Sequence, residues 1–454
     1  MLAAETNRDS FELPHAQHFE GFTVNYDELF TDEQVNMPLL RQRAFNLRWA
    51  QQPDDVLALT AADPDFPVAP EIRKALGDYV SSGVLSYGPA EGLPSFRRVV
   101  ADTLMARRNI DCTPERILAA DSAASAMFVI ARYALRPGDE VIIFDPVDFL
   151  FKASAEVAGA KAVLCPIDSK TGAIDMDGMR KLITPKTKMI SVCNPHNPLG
   201  LVLSEQDLRA IGEMAVEHDL WIMNDEIWSD IVFDPVRFVS IASLSPEIAR
   251  RTMTVCGFSK HYGLAGLRIG FLVAPTDEVY EGLVAVSTAP TTAWGAATLS
   301  QVGAQAAYEH GGSWLDAFLR HLTKIRDYAA GRLANMPGIT VRPPDATYLL
   351  FPDVTAYGMS STEMADYLLE EARVAVVPGV AQWFGPGAEG HIRIAFPTSM
   401  AIISEALDRI EAALAKRAQA FGDVSRRFLP RAPDAAVDVV VRFGQLAGPP
   451  GLRP

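Results

Sequence analysis

The sequence predicts an α/β protein built on a mostly parallel sheet, followed by a smaller α+β unit. Three observations predict this class. Between residues 66 and 310 the chain alternates helical stretches with seven short apolar runs, each bounded by Asp, Asn, Gly or Pro. The runs are continuously apolar, which fits strands buried on both faces. Beyond about residue 310 long helical stretches enclose a few strand-like runs, the pattern of a separate mixed unit.

Taken in order, residues 1 to about 25 are polar and lack a clear period, which predicts a loose arm. "MPLLRQRAFNLRWA" (37–50) predicts an amphipathic helix, and "DVLALTAADPDFP" a short strand ending in turn chemistry. Helices follow at "PEIRKALGDYV" and "SEQDLRAIGEMAVEHD", among the strand runs "RILAAD", "EVIIFD", "KAVLCPI", "KMISVCN", "LWIMND", "TMTVCGF" and "RIGFLVAP". A long helix over 312–340 precedes "TYLLFPDV", the helix "STEMADYLLEEAR", "VAVVPGV", "GHIRIAFP" and a helix from 400 to about 420. The Pro-, Ala- and Gly-rich end predicts a tail in which "VDVVVRF" forms an added edge strand. The expected organisation is therefore an arm with part of the small domain (1–65), a large domain (66–310), a small domain (311–425) and a C-terminal tail (426–454).

Composition narrows the function. A net charge of −15 argues against a nucleic-acid surface. The four cysteines form no CxxC pair and the eight histidines no HxxxH or HxH spacing, so neither a disulfide framework nor a structural zinc site is expected. With no signal-like start and no run of membrane-spanning length, the expected setting is cytoplasmic, without a membrane partner.

Functional residues of parallel sheets gather past the carboxyl ends of the strands. Asp121, Asp145, Asn194, Asp225 and Ser259 close such runs here. Lys260 follows "TMTVCGF", Asp225 ends "WIMND", "NPHNPLG" lies upstream, and Arg268 sits eight residues after Lys260. Together these fit one chemical demand. A Schiff-base lysine needs an aldehyde cofactor, and pyridoxal phosphate needs an acid at its ring nitrogen, a partner for its phenolic oxygen, and cations and amides around its phosphate. The carboxylate favours the protonated ring, which is the electron sink.

"GFSKHYGLAGLRIGF" (257–271) resembles the lysine signature of class I/II aminotransferases, which are fold type I pyridoxal-phosphate enzymes. The resemblance runs over roughly residues 38–420 and implies that fold, with a seven-stranded, mostly parallel sheet in a large domain beside a smaller α+β domain. It implies that Lys260 is the Schiff-base lysine and proton carrier, and that Asp225 is the partner of the ring nitrogen. Asn197 would donate to the phenolic oxygen, while Arg268 and Ser259 would hold the phosphate. Tyr87, in "SYGPAEGLPSFRR", resembles the tyrosine that reaches the neighbouring subunit's phosphate, which implies a homodimer. Arg393 in "HIRIAFP" resembles the arginine that clamps the substrate's α-carboxylate.

The sequence departs from the family pattern at three places. The phosphate turn, usually begun by glycine, is "SAAS" here, leaving the amides of Ala123 and Ala124 at a helix start, with a hydroxyl from Ser125. The place of the ring-stacking aromatic holds Asp148, so Phe149 is the expected stacker, with a core phenylalanine as the rival reading. Trp228 stands where a tyrosine is usual, and an indole N–H donates but cannot accept or ionise.

The resemblance implies amino-acid and 2-oxo-acid substrates and transamination. "TAADPDFP" and "DEIWSD" also resemble segments of cystathionine β-lyase-like proteins, which keeps C–S β-elimination open. The absence of an arginine from 275–300 argues against a dicarboxylate donor. Trp228, Trp294 and Trp383 are candidates to line an apolar pocket, or to pack in the core. A transcriptional regulator is a third reading, opposed by the acidic charge.

Overall fold

The computed structural model describes residues 25–293 and 295–427. The arm before residue 25, Trp294 and the "VDVVVRF" strand lie outside these residues.

The strands are β1 (Leu57–Ala58), β2 (Ile117–Ala120), β3 (Glu140–Asp145), β4 (Lys161–Pro166), β5 (Thr187–Cys193), β6 (Trp221–Asp225), β7 (Thr252–Gly257), β8 (Gly270–Val273), β9 (Leu349–Leu350), β10 (Val374–Ala375), β11 (Val377–Pro378) and β12 (Ile392–Ala395). Strands β2 to β8 are the seven apolar runs, and they form one sheet in the order β2-β8-β7-β6-β5-β3-β4. Only β8 runs against its neighbours; the other adjacent pairs are parallel. Ile142, Phe144, Ile190, Val192, Ile222 and Val255 are buried in its centre. Each apolar side chain so placed contributes about 1.5–3 kcal/mol. Uninterrupted apolar runs are what this doubly covered sheet requires.

The chain leaves β3 for β4 at one edge, then returns to build β5, β6 and β7 towards the other. This reversal opens a crevice at the carboxyl ends of the strands. A three-stranded antiparallel sheet, β11-β12-β9, and the parallel pair β1-β10 complete the strands. The loop after β1 is tied between them: Leu59 N–H donates to Ala375 O (2.9 Å), and its carbonyl accepts from Ala395 N–H (3.0 Å).

One expected element is shorter than its pattern suggests. The helix predicted over 37–50 stops at Arg43, and Asn46 and Leu47 take left-handed φ values of 58° and 66°. Tertiary bonds override the helical period. Arg48 and Trp49 turn inward onto the buried Asp65 carboxylate, with Trp49 Nε1–H at 2.8 Å. The long helices Gly312–Ala334 and Met400–Arg427 follow their patterns. The chain forms one compact unit through Ala413, and a second begins at Leu414, within the last helix. Among the described residues no helix is long and apolar enough to cross a membrane.

Candidate active site

Register brings the strand ends together. Asp225, the last residue of β6, lies opposite Cys193 of β5 and Val255 of β7. The turn carrying Asn197 leaves β5, and Lys260 stands three residues beyond the end of β7. Arg393 comes from β12 in the three-stranded sheet.

Lys260 Nζ donates to the carbonyl of Ala62 (2.8 Å), which also accepts from Tyr348 O–H (3.2 Å). The Ala62 loop is held from beneath by Arg48, whose Nη1 donates to Ala61 O (3.1 Å). Trp228, 2% exposed, lies under Lys260 with its ring centre 5.5 Å from Nζ, and meets Tyr348 edge to face. Burial lowers the Lys260 amine's pKa; the Asp63, Asp148 and Asp225 carboxylates oppose this, and Arg393 reinforces it. Burial pushes Asp225 up to about 7. The Ile227 amide, donating to Oδ1 at 3.0 Å, and Lys260 pull it down, while Asp148 and Glu226 raise it further.

Arg393 is 8% exposed and forms no ion pair with the described residues. Nη1 donates to Asn197 Oδ1 and Nη2 to Thr60 O, both at 3.2 Å, and Nε has no hydrogen-bond partner. Burial lowers its pKa to about 10. A buried guanidinium with an unspent donor is a receptor for an anion.

Lys260, Asp225, Asn197, Arg393 and Trp228 thus converge. A second group forms where helix Ala123–Ala134 begins. Ser122 caps it, its Oγ accepting from Ser125 N–H (3.0 Å), and the amides of Ala123 and Ala124 open the first turn. Gly270 makes this closeness possible: a Cβ there would come within 2.5 Å of Ala123 N. Ser259 precedes Lys260, and Arg268 is exposed in a left-handed conformation (φ 52°), its side chain making no hydrogen bond or ion pair with the described residues. That backbone conformation is uncommon outside glycine and favoured by few side chains.

Phe149 is half-buried and meets Trp383 edge to face, with centroids 5.5 Å apart. Tyr87 is 86% exposed.

Two residues that pattern reading passes over also face Lys260. Asp63 hides in "TAADPDFP", where the neighbouring Ala62 carbonyl meets the lysine. Asp148 occupies the aromatic's place, hydrogen-bonded to Asn197 Nδ2 at 2.9 Å. The departure from the family pattern is itself the signal for Asp148.

These residues fit pyridoxal phosphate. They offer an amine of lowered pKa, a buried acid, an amide, and a corner of cation, hydroxyl and helix-start amides for the phosphate.

Known proteins resemble this chain across nearly its whole described length. The aspartate aminotransferase of Pyrococcus abyssi is 34% identical over 370 residues, covering 80% of this chain and 92% of that protein. The cystathionine beta-lyase PatB of Bacillus subtilis is 30% identical, covering 79% and 93%. The crystal structure of an aromatic aminotransferase from Pyrococcus horikoshii OT3 superposes with a TM-score of 0.76 at 31% identity, covering 81% and 97%. Residues 54–410 match the family described as aminotransferase class I and II. The strand order, the lysine past β7 and this match over most of the sequence agree: the chain belongs to the class I and II aminotransferases.

Proposed function

We propose that this chain moves an amino group from an L-amino acid to a 2-oxo acid with pyridoxal phosphate held at Lys260. The observation that carries the reading is the buried, unpaired Arg393 guanidinium beside a lysine of lowered pKa and a buried aspartate. Arg393 takes the α-carboxylate, which orients the substrate's Cα–H bond. Lys260 takes the Cα proton and returns it; burial, which lowers its pKa, favours the neutral amine that a base requires. Asp225 holds the proton on the cofactor's ring nitrogen, and Asn197 donates to its phenolic oxygen. Ser259, Arg268 and the amides of Ala123 and Ala124 hold the phosphate, and Trp228 walls the lysine. When bound, pyridoxal phosphate supplies the electron sink for charge developing at Cα.

The test is a panel of amino acids without a 2-oxo acid. Stoichiometric 2-oxo acid, with conversion of the cofactor to its amine form, supports transamination. Catalytic release of pyruvate and ammonia from a cysteine conjugate instead supports β-elimination. That second reading is favoured by the PatB likeness and by the "TAADPDFP" segment, whose Ala62 carbonyl binds Lys260.

The working unit in this reading is a homodimer with Tyr87 reaching the neighbouring phosphate. Its support is an exposed apolar tip, with Val84 67%, Leu85 65% and Tyr87 86% exposed. Sedimentation at micromolar concentration tests it, and a monomer that still binds cofactor refutes it. We assign residues 66–310 to cofactor binding and 311–425, with part of 1–65, to a small domain that carries Arg393. The free buried thiols of Cys165, Cys193 and Cys256 support a cytoplasmic setting.

A further inference from the structure

We propose that Asp148 is a positioning residue that locks the Asn197 carboxamide and, through it, the seat of Arg393. The inference rests on the transaminase reading for what Arg393 binds.

Asp148 caps helix Phe149–Val157, its Oδ1 accepting from Leu150 N–H (3.1 Å). Its Oδ2 accepts from Asn197 Nδ2 (2.9 Å), and Asn197 Oδ1 accepts from Arg393 Nη1 (3.2 Å). A carboxylate only accepts and a guanidinium only donates. Asn197 therefore has one orientation that satisfies both neighbours, nitrogen to Asp148 and oxygen to Arg393. An aromatic ring at 148 would impose nothing on the amide. The backbone holds the pair independently, since Asp148 N–H donates to Asn197 O (3.2 Å). The side-chain chemistry can thus be changed with the spacing kept.

Asp148→Asn makes the test specific. Asparagine caps helices as well as aspartate, so the Leu150 bond survives and Oδ1 stays engaged. Its amide nitrogen must then face Asn197 and demand that residue's oxygen. Arg393 needs the same oxygen. Either bond can form well, but not both, and the guanidinium loses its fixed seat.

The experiment is a double-mutant cycle of Asp148→Asn and Asn197→Ala on protein loaded with pyridoxal phosphate. Two quantities are read: KM and kcat for the best amino donor, and the dissociation constant of pyruvate from its perturbation of the visible absorption. In the wild-type background Asp148→Asn is expected to raise KM and the pyruvate constant about tenfold, with kcat falling less than about threefold. In the Asn197→Ala background the same change is expected to alter each by less than about twofold, because a residue acting through another cannot act once that other is gone. Equal effects in the two backgrounds, or none in the wild type, would overturn the proposal while leaving the reaction assigned. A wild-type protein with neither a visible band nor turnover would overturn both.

Discussion

Asp225, at the end of β6, and Asp230, in the turn that follows, lie five residues apart, both withdrawn from solvent, and their carboxyls are driven in opposite directions. Asp225 rises to about 7, because burial acts on it with little cationic relief. Burial also raises Asp230, but Arg108, His261 and Arg107 more than offset this and bring it down to about 2. Arg108 Nη2 lies 3.0 Å from Asp230, and Nη1 lies 3.4 Å from the fully buried Glu226. Behind the strand ends, then, buried charges answer one another within the protein. In front, Lys260, Asp225 and Arg393 form no ion pair with the described residues, and burial outweighs the opposite charges nearby. A buried charge left unpaired is costly, and a fold keeps it where a ligand completes the pairing. The difference separates scaffold from site more sharply than burial does.

The comparison can be broken or sharpened by experiment. Lys260→Ala is expected to abolish turnover, with a loss on the order of 10⁴-fold or more if the lysine is nucleophile and proton carrier together. Retained turnover would remove the centre of the site. Arg108→Met leaves Glu226 and Asp230 buried without their cation, and should lower unfolding stability by about 3–5 kcal/mol. Denaturant melting measures it, and an unchanged midpoint would mean that the rear cluster is not a scaffold.

Asp225→Asn tests the front. The native pKa of Asp225 lies above that of the unfolded chain, so the native state binds the proton more tightly and the carboxylate costs stability as pH rises from about 4 to 7. In cofactor-free protein the substitution should therefore stabilise, negligibly near pH 4 and by on the order of 4 kcal/mol near pH 7. Loaded with cofactor, the same variant should lose turnover. A gain that shrinks as pH rises would reverse the sign and end the argument. Smallest is Arg393→Lys, which keeps the charge but loses the fork; KM for the amino donor should rise about 10–100-fold with kcat changed less. A fall confined to kcat would move Arg393 out of substrate binding.

Much of this was legible before any coordinates. Strands β2 to β8 announce themselves as apolar runs closed by polar turns, because a sheet covered on both faces tolerates little else. The lysine signature, "NPHNPLG" and "DEIW" carry side chains whose chemistry has few alternative uses. The helix begun at Met37 shows where local reading fails: its apolar period continues past Arg43, but Asp65, far along the chain, claims Arg48 and Trp49. Asp148 was visible only as a departure, an acid where a ring-stacking aromatic is expected, and in the structure it caps a helix. That it also faces Asn197 depends on a turn some fifty residues away.

By itself the sequence determined the class of fold, the order of its strands along the chain and the kind of cofactor chemistry. These depend on apolar periodicity and residue type, which are local properties. Only the tertiary structure decided which buried charges meet a partner and which are left for a ligand. Coulomb energy and desolvation depend on distances between residues remote in the chain, such as Arg108 and Asp230 or Arg393 and Asn197, and no spacing along a sequence records those.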